Sequence, residues 1–277
     1  MKKKYNYKDI TVILVAYYPD LKKLKDLIKS IKKNIKIVII QNCKSNLSQF
    51  QENYKNIEII KNKINSGNGA AINSGFKNSC TKFCLYLDID ITIESKFFEK
   101  LIKNINSIKN FSILLPNINN KYKSNKLIEI YETEGSVMLF NMKDFYKKIK
   151  FDEKFFLYFE EIDIFYKCKS ADKKVYIIPN LLAKHKRASS IKIKNYTDEI
   201  KYLRDWHYMW SKFYFYKIHF GYFNAIKKTY LYLIKDLIMT FIFLFKNNKF
   251  NFKRRVYRIF GLLCSYFNTS SFLRLKS

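Results

Sequence analysis

The apolar positions fall into two periods that alternate along the first two-thirds of the chain. Residues 10–16 (ITVILVA) form a continuous, β-branched run, the pattern of a strand buried on both faces. Pro19 and Asp20 then open a helix to residue 31, with Leu21, Leu24, Leu27, Ile28 and Ile31 at helical spacing. Strands are predicted again at 35–40 (IKIVII), 57–60, 83–87 (FCLYL) and 112–115, with helices starting near Gly69 and over 97–105. This alternation predicts an α/β domain with a mostly parallel sheet flanked by helices. From residue 127 to 140 short strands surround Gly135. An aromatic stretch (151–159), a helix (160–170) and a strand (174–178) ending at Pro179 follow. Beyond Tyr196 the pattern is helical only.

The 277 residues suit one large domain with an appendage, and at 48% hydrophobic and 18% aromatic they can fill a core. A disordered, collagen-like or disulfide-stapled chain is excluded. The five cysteines show no C-x-x-C pair and read as reduced thiols of a cytoplasmic protein. The lysines at 2–4 and the apolar run at 10–18 have the outline of a signal peptide. That run is short, follows Asp9 and precedes no small-residue cleavage site, so it reads as a strand.

Charge adds a second division. Lys and Arg number 53 against 23 acids, a formal +30, which favours anionic partners. After residue 200 there are fifteen Lys/Arg and only two acids, Asp205 and Asp236. The expected organisation is a domain over 1–195 and a basic, aromatic helical region over 196–277.

Ligands of an open α/β sheet bind beyond the carboxyl ends of its strands. The residues there are Tyr17 and Tyr18, Gln41 and Asn42, Asn65 to Gly69, and Asp88 and Asp90. In LYLDID (85–90) two carboxylates end an apolar strand. They suit Mg²⁺ or Mn²⁺ held together with substrate phosphates, or else they cap the next helix. In NSGNGAAINSG (65–75) small residues open a helix whose amides suit a pyrophosphate, unless it is only a turn packing on the sheet. In FFLYFEEID (155–163) Glu160, Glu161 and Asp163 stand among aromatic rings, which raise a carboxyl pKa toward that of a general base. They equally suit a helix N-terminus. His185, after the last strand, is either structural or a further metal ligand.

The ordered set resembles the family 2 glycosyltransferases of GT-A fold, most closely their rhamnosyltransferase-like branch, over residues 10–190. That branch's N-x-G-x-A-x-A-x-N-x-G helix motif is matched by Asn65, Gly67, Ala71, Asn73 and Gly75, with Gly69 in place of an Ala. Its F-D-E-x-F-F-x-Y-x-E-D-x-D segment is matched from Phe151 to Asp163, and its H-x-x-x-S by His185 and Ser189. The resemblance implies a GT-A-type, Rossmann-like sheet that binds a nucleotide-sugar donor through Tyr17, Gln41, Asn42, Asn65, Gly67, Gly69, Asn73 and Asp88. Tyr17 and Tyr18 would flank the base. Gln41, where the family has an acid, would accept its imide N–H through the amide oxygen. Asp90 would bind the cation directly, with Asp88 and His185 assisting. Glu161 takes the position of the family's catalytic Asp, with Glu160 as alternative base and Asp163 nearby. The implied reaction is a single, inverting displacement by an acceptor hydroxyl.

The tail reads as a membrane-surface element on the acceptor side, where Tyr158, Trp206 and Trp210 belong, or else as a helical cap packed on the catalytic domain with its lysines solvated. In the last helix Val256, Ile259, Phe260 and Leu263 share a face flanked by Arg254, Arg255 and Arg258, the pattern of a basic interfacial helix. The expected partners are therefore a donor such as dTDP-rhamnose or a UDP-sugar, a glycan or polyprenyl-linked acceptor, and the anionic inner face of the cytoplasmic membrane. Nucleic acid is not expected. The competing readings are a sugar nucleotidyltransferase, which would need a Gly-rich basic loop after the first strand, and a nucleic-acid-binding protein using the basic tail.

Overall fold

The computed structural model describes residues 4–145, 147–186 and 197–275. Ser189 and the expected boundary at 195/196 lie outside them. In chain order the elements are β1 (Ile10–Ala16), α1 (Leu21–Ser30), β2 (Lys36–Gln41), α2 (Ser48–Asn53), β3 (Ile57–Lys61), α3 (Asn68–Lys77), β4 (Phe83–Leu87), β5 (Ile91–Ile93) and α4 (Phe97–Ser107). There follow β6 (Ile113–Ile118), β7 (Ile128–Glu129), β8 (Val137–Asn141), α5 (Glu160–Ser170), β9 (Val175–His185), α6 (Thr197–Phe220), α7 (Tyr222–Phe245) and α8 (Lys249–Tyr266).

The chain forms two compact units. The first comprises Met1–Ser66, Ala70–Phe151 and Ile164–Lys192, and the second Gly67–Gly69, Asp152–Asp163 and Ile193–Ser277.

Among the described residues all nine strands belong to the first unit, in one sheet of order β3-β2-β1-β4-β8-β6-β9-β5, with β7 pairing β9. The β3-β2-β1-β4 half is parallel, as the apolar runs predict. Beyond it β8 runs antiparallel between β4 and β6, so the sheet is mixed rather than mostly parallel. Two apolar layers cover its faces. One includes Val12, Leu14, Leu24, Leu101 and Leu139, and the other Ile13, Phe76, Phe140, Phe151 and Phe165. Helix α1 starts as its sequence dictates: the Asp20 carboxylate accepts from the Lys22 amide at 3.0 Å, and Leu24, Leu27 and Ile28 are buried.

The strand expected to end at Pro179 runs on to His185. Its pairing with β6 breaks register between Pro116 and Asn117, where partners jump from Ile178 to Leu182. Pro179 thus sits where no ladder donor is required, and His185 ends a strand rather than following one.

The second unit buries its tryptophans, against the expectation of an interfacial pair. Trp206 is fully enclosed, Gly261 packing against its backbone carbonyl, and buried Trp210 donates its indole N–H to the Thr269 carbonyl at 2.8 Å. The three arginines of α8 also turn inward: Arg254 pairs with Asp205, and Arg255 and Arg258 with Asp236. An amphipathic aromatic such as Trp suits a helical core as well as an interface, and only packing separates the two.

Candidate functional site

The carboxyl ends of β4 and β9 bring three potential metal ligands together in the first unit. One ligand atom from each of Asp88, Asp90 and His185 lies within 4.8 Å of the others. Antiparallel pairing of Ile91 with His185 sets the imidazole beside the acids, although 95 residues of chain separate them from it. The His185 Nε2 is 3.3 Å from Asp90, and its Nδ1 is 3.7 Å from Glu134. The hydrogen bond to Asp90 raises the His185 pKa, with Asp88 and Glu134 adding to the rise. Asp88 takes a hydrogen bond from the buried Tyr86 hydroxyl, and its amide donates to the Ser136 carbonyl. Asp90 is buried. Two hard oxygen donors with one imidazole form a set that accepts Mg²⁺ or Mn²⁺.

At the ends of β1 and β2, Tyr17 bonds to Asn65, and burial raises its phenol pKa. Asn42 is buried and accepts from Asn62 at 2.6 Å. Gln41 is buried with its Nε2 donating to the Cys43 carbonyl at 2.9 Å, while its Oε1 has no hydrogen-bond partner. A buried acceptor in this state is costly until a donor reaches it.

Asn73, expected at the donor, is engaged by the protein's own backbone. Its amide group donates to the Phe151 carbonyl at 3.0 Å and accepts from the Phe151 amide at 3.1 Å, clamping the start of the aromatic stretch. Gly67 likewise serves the protein's own packing. Its φ is +89°, and a Cβ there would lie 2.5 Å from the Phe156 carbonyl oxygen. The Asn68 amide donates to that same carbonyl at 3.2 Å. Gly67 therefore admits another stretch of backbone, and Gly69 follows in the first turn of α3.

In the second unit the aromatic stretch is pinned to α6. The Tyr214 hydroxyl donates to Asp152, and the Ser211 hydroxyl to the Leu157 carbonyl. The Tyr158 ring meets Tyr208 edge-on, and burial raises its phenol pKa. Glu160 accepts from the Asn68 side chain at 3.2 Å. Burial raises the Glu161 pKa above the ordinary carboxylate range. Asp163 is fully enclosed and bonded to His219 at 2.8 Å, which ties the start of α5 to α6.

Residues 11–176, more than half of the chain, match the family model described as glycosyl transferase family 2. The chain belongs to that family. An uncharacterized glycosyltransferase of Methanocaldococcus jannaschii is 26% identical over 220 residues, covering 69% of this chain and 74% of its own. Among solved structures, the mannosyltransferase PcManGT of Pyrobaculum calidifontis, in complex with GDP-Man and Mn²⁺, is similar with a TM-score of 0.58 at 10% identity, over 94% of this chain and 87% of its own. GalNAc-T7, with UDP, GalNAc and Mn²⁺, is similar with a TM-score of 0.57 at 13% identity over 77% of this chain. The present chain spans about half, 52%, of GalNAc-T7. At these identities the likeness is one of fold, and it fits the GT-A expectation.

For this family 2 chain, sequence reasoning missed Tyr86, Glu134 and Arg274. Tyr86 lies two residues before Asp88 on the same strand face, a relation that alternation could have offered. Glu134 reaches His185 only through the pairing of distant strands, and Arg274 covers the Phe156 ring at 3.5 Å from the far end of the chain. No local pattern marks either.

Proposed function

We propose that this glycosyltransferase moves a sugar from a nucleotide-sugar donor to an acceptor hydroxyl, with inversion and with a divalent cation held by Asp90, Asp88 and His185. The observation that carries this reading is the Asp88–Asp90–His185 cluster at the carboxyl ends of the sheet strands. A cation bound there supplies charge neutralisation for the departing nucleoside diphosphate. Tyr86 and Glu134 orient the residues that would hold it. Gln41 offers its buried Oε1 to an imide N–H, a donor that uracil, thymine and guanine all carry. Glu161, with its raised pKa, takes the proton from the acceptor hydroxyl, and Asn68 holds Glu160 beside it.

The finer reading is a donor such as dTDP-rhamnose or a UDP-sugar, and an acceptor on a glycan or polyprenyl lipid of a cell-surface polysaccharide. The place of action is the cytoplasmic, inner face of the membrane, with the protein peripheral to it. Among the described residues no helix is long and apolar enough to cross a membrane. The nucleic-acid reading is weakened because Arg254, Arg255 and Arg258 are engaged by Asp205 and Asp236.

Calorimetric titration with UDP, dTDP and GDP, with and without Mn²⁺, tests the donor site. Mn²⁺-dependent binding of one nucleotide, weakened at least tenfold in Asp90→Ala, is the expected result. Equal binding by wild type and variant would remove the cation assignment. Absence of binding under every condition would remove the donor site.

A further inference from the structure

Helix α7 carries a surface that neither glycosyl transfer nor the packing of its own unit uses. Its inward face buries Ala225, Thr229 and Asp236. On the opposite side Phe223, Leu231, Ile234, Ile238, Phe241 and Phe245 follow one another at helical spacing, interrupted only by Lys227. These six side chains are between 47% and 86% exposed. A contiguous apolar strip along a whole helix marks an interaction surface.

The seam cannot roll inward. The Asp236 carboxylate, almost wholly buried, accepts from Arg255 at 2.7 Å and from Arg258 at 2.8 Å. Thr229 meets the Tyr266 hydroxyl at 3.0 Å. Rotating α7 to hide the strip would break these pairs and strand a buried charge.

Charge identifies the occupant. Asp236 is the only acid from residue 222 to residue 275, and it faces α8. The exposed lysines of this segment are Lys227, Lys228, Lys235, Lys246, Lys249 and Lys253. An apolar strip with cationic flanks and no exposed acid fits a surface that is apolar within and anionic outside. At 24 residues α7 is about 36 Å long. Its lysines and inward-facing Asp236 prevent it from spanning a bilayer but not from lying along one.

We propose that α7 is an in-plane membrane anchor. Its Phe223–Phe245 side sinks into the acyl boundary of an anionic leaflet, while its flanking lysines meet the lipid headgroups. This gives the membrane placement of the preceding section its residues and rests on that placement, but not on the donor site.

The test is co-sedimentation of the full chain with vesicles of phosphatidylcholine alone and of phosphatidylcholine with 30% phosphatidylglycerol. Binding to the anionic vesicles is expected to exceed binding to the neutral ones at least tenfold. Ile238→Asp/Phe241→Asp should lower it at least tenfold, and Lys227→Gln/Lys228→Gln by a smaller, salt-sensitive factor. All of these positions are exposed, and an unchanged circular dichroism melt verifies folding. Glu161→Gln should keep full vesicle binding, so failure of the anchor and failure of the transferase reading remain distinguishable. Retained binding in the Asp double variant would overturn the proposal. So would a wild type that ignores vesicles yet forms a dimer lost in that variant, because the seam would then join two copies.

Discussion

His207 should make the helical unit sensitive to acid in a defined window. Its ring is fully buried, 4.7 Å from Phe156 and 4.8 Å from Trp206. The Nε2 donates to the Leu273 carbonyl at 2.9 Å, and the Ser271 hydroxyl donates to Nδ1 at 3.2 Å. Both nitrogens are satisfied in the neutral ring, and burial pushes the pKa down to about 4. An unfolded histidine titrates near 6.5, so between these values the unfolded chain binds a proton that the folded chain refuses. This contribution is fully present above about pH 6.5 and is lost as pH falls toward 4. The two pKa values give a loss of about 2 kcal/mol between pH 8 and pH 5. The measurement is urea unfolding of wild type and His207→Gln at both pH values, followed by tryptophan fluorescence. Both tryptophans of the chain, Trp206 and Trp210, lie in this unit and report on it. The gap between wild type and variant should shrink by about 2 kcal/mol on acidification. A gap independent of pH would refute the reasoning.

Glu161→Gln should lower sugar transfer by about 10²–10⁴-fold, with nucleotide binding unchanged. Because burial raises the Glu161 pKa and a base acts deprotonated, the wild-type rate should climb with pH through a midpoint above about 4.3, and a midpoint at or below that value would contradict the assignment. Asn73→Ala removes both side-chain bonds to the Phe151 backbone in a buried site. It should cost about 2–3 kcal/mol in chemical denaturation, and a loss of nucleotide affinity with stability unchanged would restore a ligand-facing role.

What could be read in advance was whatever the chain encodes over a few neighbours. The ITVILVA run forecasts β1 because burial on both faces leaves no polar position to alternate. Asp88 and Asp90 stand out because carboxylates at the end of an apolar strand need a reason. The direction of β8 was not legible, since a short apolar strand reads the same in either orientation. Pro179 read as a stop because the missing N–H breaks a ladder, and only the register jump opposite Pro116 excuses it. Arg254 read as the flank of an interfacial helix because its partner Asp205 lies 49 residues away.

The aromatic stretch shows what composition left unread in the helical region. Tyr158 and Phe159 hold positive φ values of 67° and 68°, a left-handed pair that bulky residues adopt only under compulsion. The compulsion comes from α6 and the residues after α8. Phe155 meets Tyr214, Phe159 meets Tyr208 and Phe215, and Phe156 lies between His207 and Arg274. Glu160 and Glu161 follow the strained pair directly, so the orientation of the acid pair is set by residues that the charge profile assigned to an appendage. By packing, Asp152–Asp163 belongs with the helices rather than with the sheet that precedes it in sequence. The basic, aromatic tail is therefore the support on which the candidate base is mounted. The α6 aromatics Tyr208, Tyr214 and Phe215 pack against the aromatic stretch, while α7 keeps a long apolar side turned outward.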